Sequence, residues 1–281
     1  MSSFQISSAL LLLATFFLSG CKDAAAPQTA TGEQLSFNLD DSTYFNEFIP
    51  CTVGSESSPE QMNQMVAEWK ALINSEALDG GWIYLPASEN NTYPTGAWWE
   101  LQWASKKGAD ESWDLWSQDP AAIEWTSKYE SVFSCDGQNR NSFEAVFPVN
   151  ADEFGEFSDS GYFYSEVLLC RYEDDADSVD AKEFLNSYTR AVRASDYQGT
   201  GYHFGNYYAS DNADADFLWG EFTNSKNSYE RVVELFARDV EPTQFPLFSE
   251  FASCNEKPDR YNGWTVYERD GSDNSADFSR M

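Results

Sequence analysis

The sequence is poor in basic residues and contains one histidine. Its 281 residues include 17 Lys and Arg against 47 Asp and Glu, so the formal net charge is −30. A chain this acidic repels phosphate backbones, and it carries no basic stripe, which excludes nucleic acid as an expected partner. The acidity is typical of a well-solvated surface in a salty medium, with cation binding as the alternative.

Familiar catalytic patterns are also missing. The chain contains no Gly-x-Ser-x-Gly, no phosphate loop and no dinucleotide-binding glycine fingerprint. The lone His203 cannot build a multi-histidine metal site, and the acidic run at residues 211–216 lacks the central glycine and distal glutamate of a calcium loop. We therefore expect no metal and no cofactor, and we favour a protein that is not an enzyme.

An apolar run from Ile6 to Leu18 is too short to span a bilayer and is typical of a signal peptide covering residues 1–20. The motif Leu18-Ser19-Gly20-Cys21 that follows resembles the lipobox of bacterial lipoproteins. This resemblance implies cleavage before Cys21, lipidation of its thiol and anchorage in the bilayer. Lys22 is not the aspartate of an inner-membrane retention signal, which favours the outer membrane. Residues 1–5 lack the usual positive charge, so an ordinary secretory signal is the alternative. Residues 21–35 have the composition of a flexible tether.

The rest of the chain contains an internal repeat with an offset of 119 residues. Cys51 and Cys135 correspond to Cys170 and Cys254 at this offset. The apolar face of one predicted helix is kept as well: Met62, Met65, Val66, Trp69, Leu72 and Ile73 correspond to Ala181, Phe184, Leu185, Tyr188, Ala191 and Val192. A duplication is the simplest explanation.

Both repeats predict the order βαββαβ. In the first repeat, residues 36–150, strand patterns cover 45–51, 82–85, 97–103 and 143–147, and helices cover 59–73 and 110–129. In the second, residues 151–269, strands cover 162–170, 202–208, 216–222 and 263–267, and helices cover 179–192 and 229–236. Ser58 and Asp177 are predicted to cap the first helix of each repeat. Residues 270–281 are polar and are expected to be loose.

The βαββαβ order is that of the ferredoxin-like fold, in which the first strand lies between the third and the fourth. Two such units in one α+β chain resemble the dimeric α/β-barrel superfamily, in which two sheets pack face to face with helices outside. Two separate ferredoxin-like domains are the structural alternative. Without Cys21, four cysteines remain, for which sequence alone allows three pairings. The ferredoxin-like topology implies Cys51–Cys135 and Cys170–Cys254.

The strand at 97–103 separates its side chains onto two faces. Trp99, Leu101 and Trp103 are expected under the helices, so the opposite face would point into the barrel. The offset of 119 carries that face onto the second repeat, which gives these candidate ligand-binding residues: Trp98, Glu100, Gln102, Phe217, Trp219 and Glu221. An interior of aromatics, carboxylates and an amide suits a partly apolar ligand with polar or cationic groups. The alternative is an interior simply filled by side chains.

These observations favour a lipid-anchored envelope protein that binds a small molecule or a partner protein through the inter-sheet face. The barrel superfamily includes monooxygenases and haem-handling proteins, so the resemblance also implies an alternative. In that alternative the protein is an enzyme in which Glu100 or Glu221 acts as acid or base. A structural or assembly lipoprotein is a third interpretation.

Overall fold

The computed structural model describes residues 43–92, 96–156, 161–210, 215–269 and 276–281. The predicted signal peptide, Cys21 and the tether lie outside these residues, as do the first four positions of the acidic run at 211–216.

Each half of the described chain has the predicted order of main elements. The first half contains β1 (Thr43–Val53), α1 (Pro59–Leu72), β2 (Leu78–Pro86), β3 (Ala97–Trp103), α2 (Lys106–Gln118), α3 (Pro120–Lys128), β4 (Phe133–Cys135) and β5 (Asn141–Val146). The second contains β6 (Tyr162–Tyr172), α4 (Ser178–Arg193), β7 (His203–Ala209), β8 (Phe217–Thr223), α5 (Lys226–Leu235), α6 (Glu241–Phe248), β9 (Ala252–Cys254) and β10 (Asp259–Glu268). The short strands β4 and β9 were not predicted from the sequence.

Eight of the ten strands in the described ranges close into one antiparallel barrel. β1 lies between β3 and β5, and β6 lies between β8 and β10, as the ferredoxin-like order requires. Two seams join the halves, β2 with β10 and β5 with β7. The chain is therefore an α+β protein whose two βαββαβ repeats share one barrel, and the alternative of two separate domains is wrong.

Local sequence explains where the helices begin. The Ser58 hydroxyl accepts from the backbone N–H of Gln61, with Pro59 at the first helical position. Asp177 and Asp180 form a reciprocal capping box at α4. Met62, Met65, Val66 and Trp69 of α1 are buried against the sheet, and so are the corresponding residues of α4. The helices therefore cover the outer face of the barrel.

Both implied disulfides are confirmed. Cys51 pairs with Cys135 and Cys170 with Cys254, and each bond closes a loop with a sequence separation of 84. In each half the bond ties the end of the first strand to the short strand beside it, β4 or β9. The cysteines therefore fix the same place in both repeats.

The last six residues differ from the loose tail that was expected. Phe278 is fully buried and stacks on Trp264, whose indole N–H donates to the Asp277 carbonyl oxygen. A single large aromatic in a polar segment is enough to dock it, because burying such a ring stabilises by about 2 kcal/mol. Within the described ranges, no helix has the length and apolarity required to cross a membrane.

Candidate functional site

The two faces of β3 separate as the alternation predicts. Trp99 packs edge-on against Trp69 of α1 with ring centroids 4.7 Å apart, and Leu101 and Trp103 belong to the same helix-side cluster. Trp98, Glu100 and Gln102 therefore face the barrel interior, where Trp98 packs with the inner aromatic cluster and the other two line a cavity. The first half of the predicted set is brought to the interior.

The second half of the predicted set does not face the barrel interior. Phe217 and Trp219 lie in the helix-side cluster of the second repeat, and Glu221 bonds to groups in that layer. Cys51 faces Ala97 across the β1–β3 pair, whereas Cys170 faces Phe217 across β6–β8, so the true offset at this strand is 120. One extra residue flips every side chain to the other face. Placing Phe217, Trp219 and Glu221 in the interior was therefore wrong; the interior positions of β8 are Leu218, Gly220 and Phe222.

A layer of aromatic rings crosses the middle of the barrel. Tyr84, Tyr207 and Phe222 all belong to the inner cluster, and each lines a cavity on both sides of the layer. Gly220 makes room for two of these rings: a Cβ there would lie 3.0 Å from the Phe222 ring and 3.1 Å from the Tyr207 ring. The interior is thus filled at its centre and open at both ends.

The larger cavity has a volume of about 640 Å³. It lies at the end of the barrel where β5 and β10 finish and where β6 and β7 begin, and its size is within the range of small-molecule sites. Eight of its lining residues are aromatic: Tyr44, Trp82, Tyr84, Phe147, Phe163, His203, Tyr207 and Phe222. Glu100 and Gln102 line it too, whereas Trp98 lines the smaller cavity at the opposite end.

Glu100 places a buried carboxyl group in the larger cavity, with 1% of its surface exposed. The Tyr84 hydroxyl donates to its Oε2 at 2.5 Å, and Asn46 Nδ2 donates to its Oε1 at 2.6 Å. Burial raises the pKa of Glu100 to about 7, although the hydrogen bonds from Tyr84, Asn46 and Tyr207 oppose this rise by stabilising the carboxylate. The group is therefore poised to exchange a proton near neutral pH.

The two tyrosines beside Glu100 remain hydrogen-bond donors. Burial, together with the nearby carboxylate, raises the pKa of Tyr84 and of Tyr207 well above the usual range. They occupy corresponding positions, since Tyr84 faces Trp98 and Tyr207 faces Leu218 in the two halves. Neither tyrosine was predicted from the sequence as a site residue, nor was Asn46, although each lies on the inward face of a predicted strand. Strand pairing was needed to bring them to Glu100.

The charges of the larger cavity are negative. Asp152, Glu156 and Glu268 join Glu100 in its lining, and none of its described lining residues is Lys or Arg. His203 stacks on Phe147 with ring centroids 5.0 Å apart, and burial lowers its pKa to about 4, so the imidazole is neutral at pH 7. The site therefore favours cationic and neutral molecules over anions.

Glu221 lies in a separate buried cluster on the outer face of the second half. The Tyr202 hydroxyl donates to Glu221 Oε1 at 2.8 Å, and the Trp219 indole N–H donates at 3.3 Å. Burial raises its pKa, as it does for Glu100. Glu221 does not line the larger cavity, so it cannot share a reaction there with Glu100.

A haem does not fit the larger cavity. His203 offers a neutral imidazole of the kind that binds haem iron. A haem also carries two propionates, whose charge needs basic partners in a site of low polarity. The cavity instead offers Glu100, Asp152, Glu156 and Glu268. As a separate matter from haem, which needs one axial ligand, the described residues contain no group of three or more His, Cys, Asp and Glu that could hold a bare metal ion.

The fold and site define a duplicated α/β barrel with an acidic, aromatic-walled interior cavity. No protein-family model matches this chain, and the search of curated proteins found no match to it. Among solved structures, a chlorite dismutase variant from Candidatus Nitrospira defluvii is similar over 79% of this chain and 92% of its own, with 11% identity and a TM-score of 0.47. An anthrone oxidase-like protein is similar over 80% and 92%, with 10% identity and a TM-score of 0.48. At these values the likeness carries nothing about what this chain binds or catalyses.

Proposed function

We propose that this protein is a lipid-anchored binding protein of a bacterial envelope, and that its larger cavity takes a partly aromatic molecule that is cationic or neutral. The observation that supports this most directly is the lining itself, in which aromatic walls surround acidic groups and no basic one among the described residues. Aromatic faces attract cations, and a carboxylate at the inner end adds a charge-assisted hydrogen bond.

A matched set of three probes tests the charge preference: 2-(1-naphthyl)ethylamine, 1-naphthaleneethanol and 1-naphthylacetate. By isothermal titration at pH 8 and low salt, the ammonium is expected to bind about tenfold more tightly than the alcohol, since one well-placed charge pair contributes about 1.4 kcal/mol. The carboxylate is expected to bind weakest. Raising the salt concentration should reduce the preference for the ammonium over the alcohol, because salt screens charges at the exposed mouth of the cavity.

Two variants locate that binding. Glu100→Gln keeps the shape of the inner end but removes its charge, so the advantage of the ammonium over the alcohol should shrink. Glu89→Gln, on the exposed loop after β2, removes a charge far from the inner end; it is the control and should bind all three probes as the wild type does. Equal affinity for the ammonium and the carboxylate would contradict the proposal, and indifference to every probe would favour a structural or assembly role.

A second candidate function is catalysis with Glu100 as a general acid or base. It is favoured by a pKa of about 7 beside a cavity, with two protonated tyrosines as donors. In this case a candidate substrate would be turned over with a pH dependence near 7, and Glu100→Gln would abolish turnover while substrate still bound. Unchanged turnover in this variant would exclude the role.

The anchor rests on Leu18-Ser19-Gly20-Cys21 behind an apolar run. A mature protein that begins with an acylated Cys21 is expected in the membrane fraction, and Cys21→Ser should release it into the soluble fraction. Mass spectrometry of the N-terminal peptide distinguishes an acylated cysteine from an ordinary cleaved signal. Soluble wild-type protein with an unmodified N-terminus would refute the anchor.

A further inference from the structure

The smaller cavity at the other end of the barrel is a distinct, mostly apolar pocket of about 120 Å³. It lies where β5, β8 and β10 begin, so the barrel places it opposite the larger one. Its apolar walls include Phe48, Trp98, Phe143, Leu169, Leu218 and Tyr261. The aromatic layer of Tyr84, Tyr207 and Phe222 separates the two cavities and forms a wall of each.

One wall of the smaller cavity carries an ordered set of polar groups. Asp259 is 2% exposed; its Oδ1 accepts from the backbone N–H of Thr92 at 2.6 Å, and its Oδ2 accepts from the Tyr261 hydroxyl at 3.3 Å. The Trp98 indole N–H in turn donates to the Tyr261 oxygen at 3.2 Å. A carboxylate has about four acceptor sites, so Asp259 can still accept a hydrogen bond from a ligand.

The size and chemistry of this cavity select a class of ligand. Apolar cavities of roughly 150 Å³ in proteins take up benzene, which sets one aromatic ring as the occupant that fits about 120 Å³. Asp259 would repel a carboxylate, whereas it would accept from a hydroxyl or an amine. No described residue lining this cavity is Lys or Arg, so nothing there compensates an anion.

We propose that the smaller cavity is a second binding site, for a single-ring aromatic molecule that is not anionic and carries one hydrogen-bond donor. Trp98 and Tyr261 hold the ring, and Asp259 accepts its donor. The two cavities differ in size: a naphthalene derivative is too large for the smaller one, so the naphthyl probes report on the larger cavity alone. The interior therefore has two ends with different specificities.

Phenol is the probe for this site, and benzoate of similar size is its matched negative. Phenol is small enough to enter the larger cavity too, so the NMR titration follows contacts from its ring protons to the Trp98 indole, which lines the smaller cavity and not the larger one. These contacts are expected to saturate. At this site benzoate should bind at least about tenfold more weakly, because its charge faces Asp259. Leu218→Trp fills the cavity and should remove phenol binding at this site. The same change at Leu115, which is 61% exposed on α2, should leave it intact.

The wild-type measurements stand even if Leu218→Trp does not fold. Asp259→Asn gives a further reading, since loss of its charge should bring the affinities for benzoate and phenol together. Saturable phenol binding with contacts to Trp98 and discrimination against benzoate would support the proposal. It would be overturned by phenol contacts to Trp98 that do not saturate, by equal affinity of phenol and benzoate at this site, or by a folded Leu218→Trp variant that still binds phenol at this site. Each result is independent of the naphthyl probes and so of the function proposed for the larger cavity.

Discussion

The burial of Glu100 destabilises its charged form, and for the same reason its carboxyl group exchanges a proton near pH 7. It lies on an inward position of β3, where Phe48 and Trp82 are its neighbours across the two strand pairs. Three donors surround it, and no described cation contacts it. A carboxylate in such a place is stabilised by hydrogen bonds but not by an ion pair, so its charged form remains costly.

Glu100→Gln tests that cost. The pKa of Glu100 is about 7 in the folded chain, against 4.5 as its ordinary value. The contribution of this group to stability is therefore complete below pH 4.5 and is lost as the pH rises through 7. The variant, which stays neutral, should exceed the wild type in free energy of unfolding at pH 8 by up to about 3 kcal/mol, and the difference should vanish towards pH 4.5.

Urea unfolding across that pH range makes the measurement, with Glu89→Gln on the exposed loop after β2 as the control that should show no such trend. If Glu100→Gln were less stable than the wild type at pH 8, the charged carboxylate would not destabilise the fold. The interpretation of Glu100 as a group that exchanges a proton near neutral pH would then be wrong.

At the scale of elements, the features that local sequence patterns encode could be predicted. The face of α1 and the caps at Ser58 and Asp177 follow from spacing and residue type, and all are present. The disulfide pairing followed once the strand order was given, because antiparallel neighbours bring strand ends together.

The two cysteine pairs have the same separation in both repeats, so their spacing does not reveal residues inserted in the loops between the other elements. The offset between repeats is 119 at α1 and α4, yet Tyr84 and Tyr207 are 123 residues apart and Ala97 and Phe217 are 120 apart. Loops absorb such changes without loss of fold, whereas a strand with one residue more or less presents the other face. This is why Glu100 was placed correctly and Glu221 was not.

At the scale of the whole molecule, the two disulfides provide a matched pair. Each closes a loop with the same separation of 84, so chain-entropy reasoning gives each about 4 to 5 kcal/mol as an upper value. Replacing both cysteines of either pair by alanine should lower the free energy of unfolding by similar amounts. Urea unfolding of the two double variants measures this. A large effect confined to one pair would show that the halves do not contribute alike to the stability of the barrel.

The seam between β2 and β10 determines when the barrel can close during synthesis. β2 ends at Pro86 and its seam partner β10 begins at Asp259, so this pairing joins distant parts of the chain. Long-range pairing is slow to form, and an unpaired strand edge invites association with other chains. In a chain made from its N-terminus, β2 is left with an open edge until almost every other strand has been synthesised. β10 is therefore the strand that closes the barrel. A chain truncated before β10 would leave unpaired strand edges on both halves, and such edges promote association with other chains.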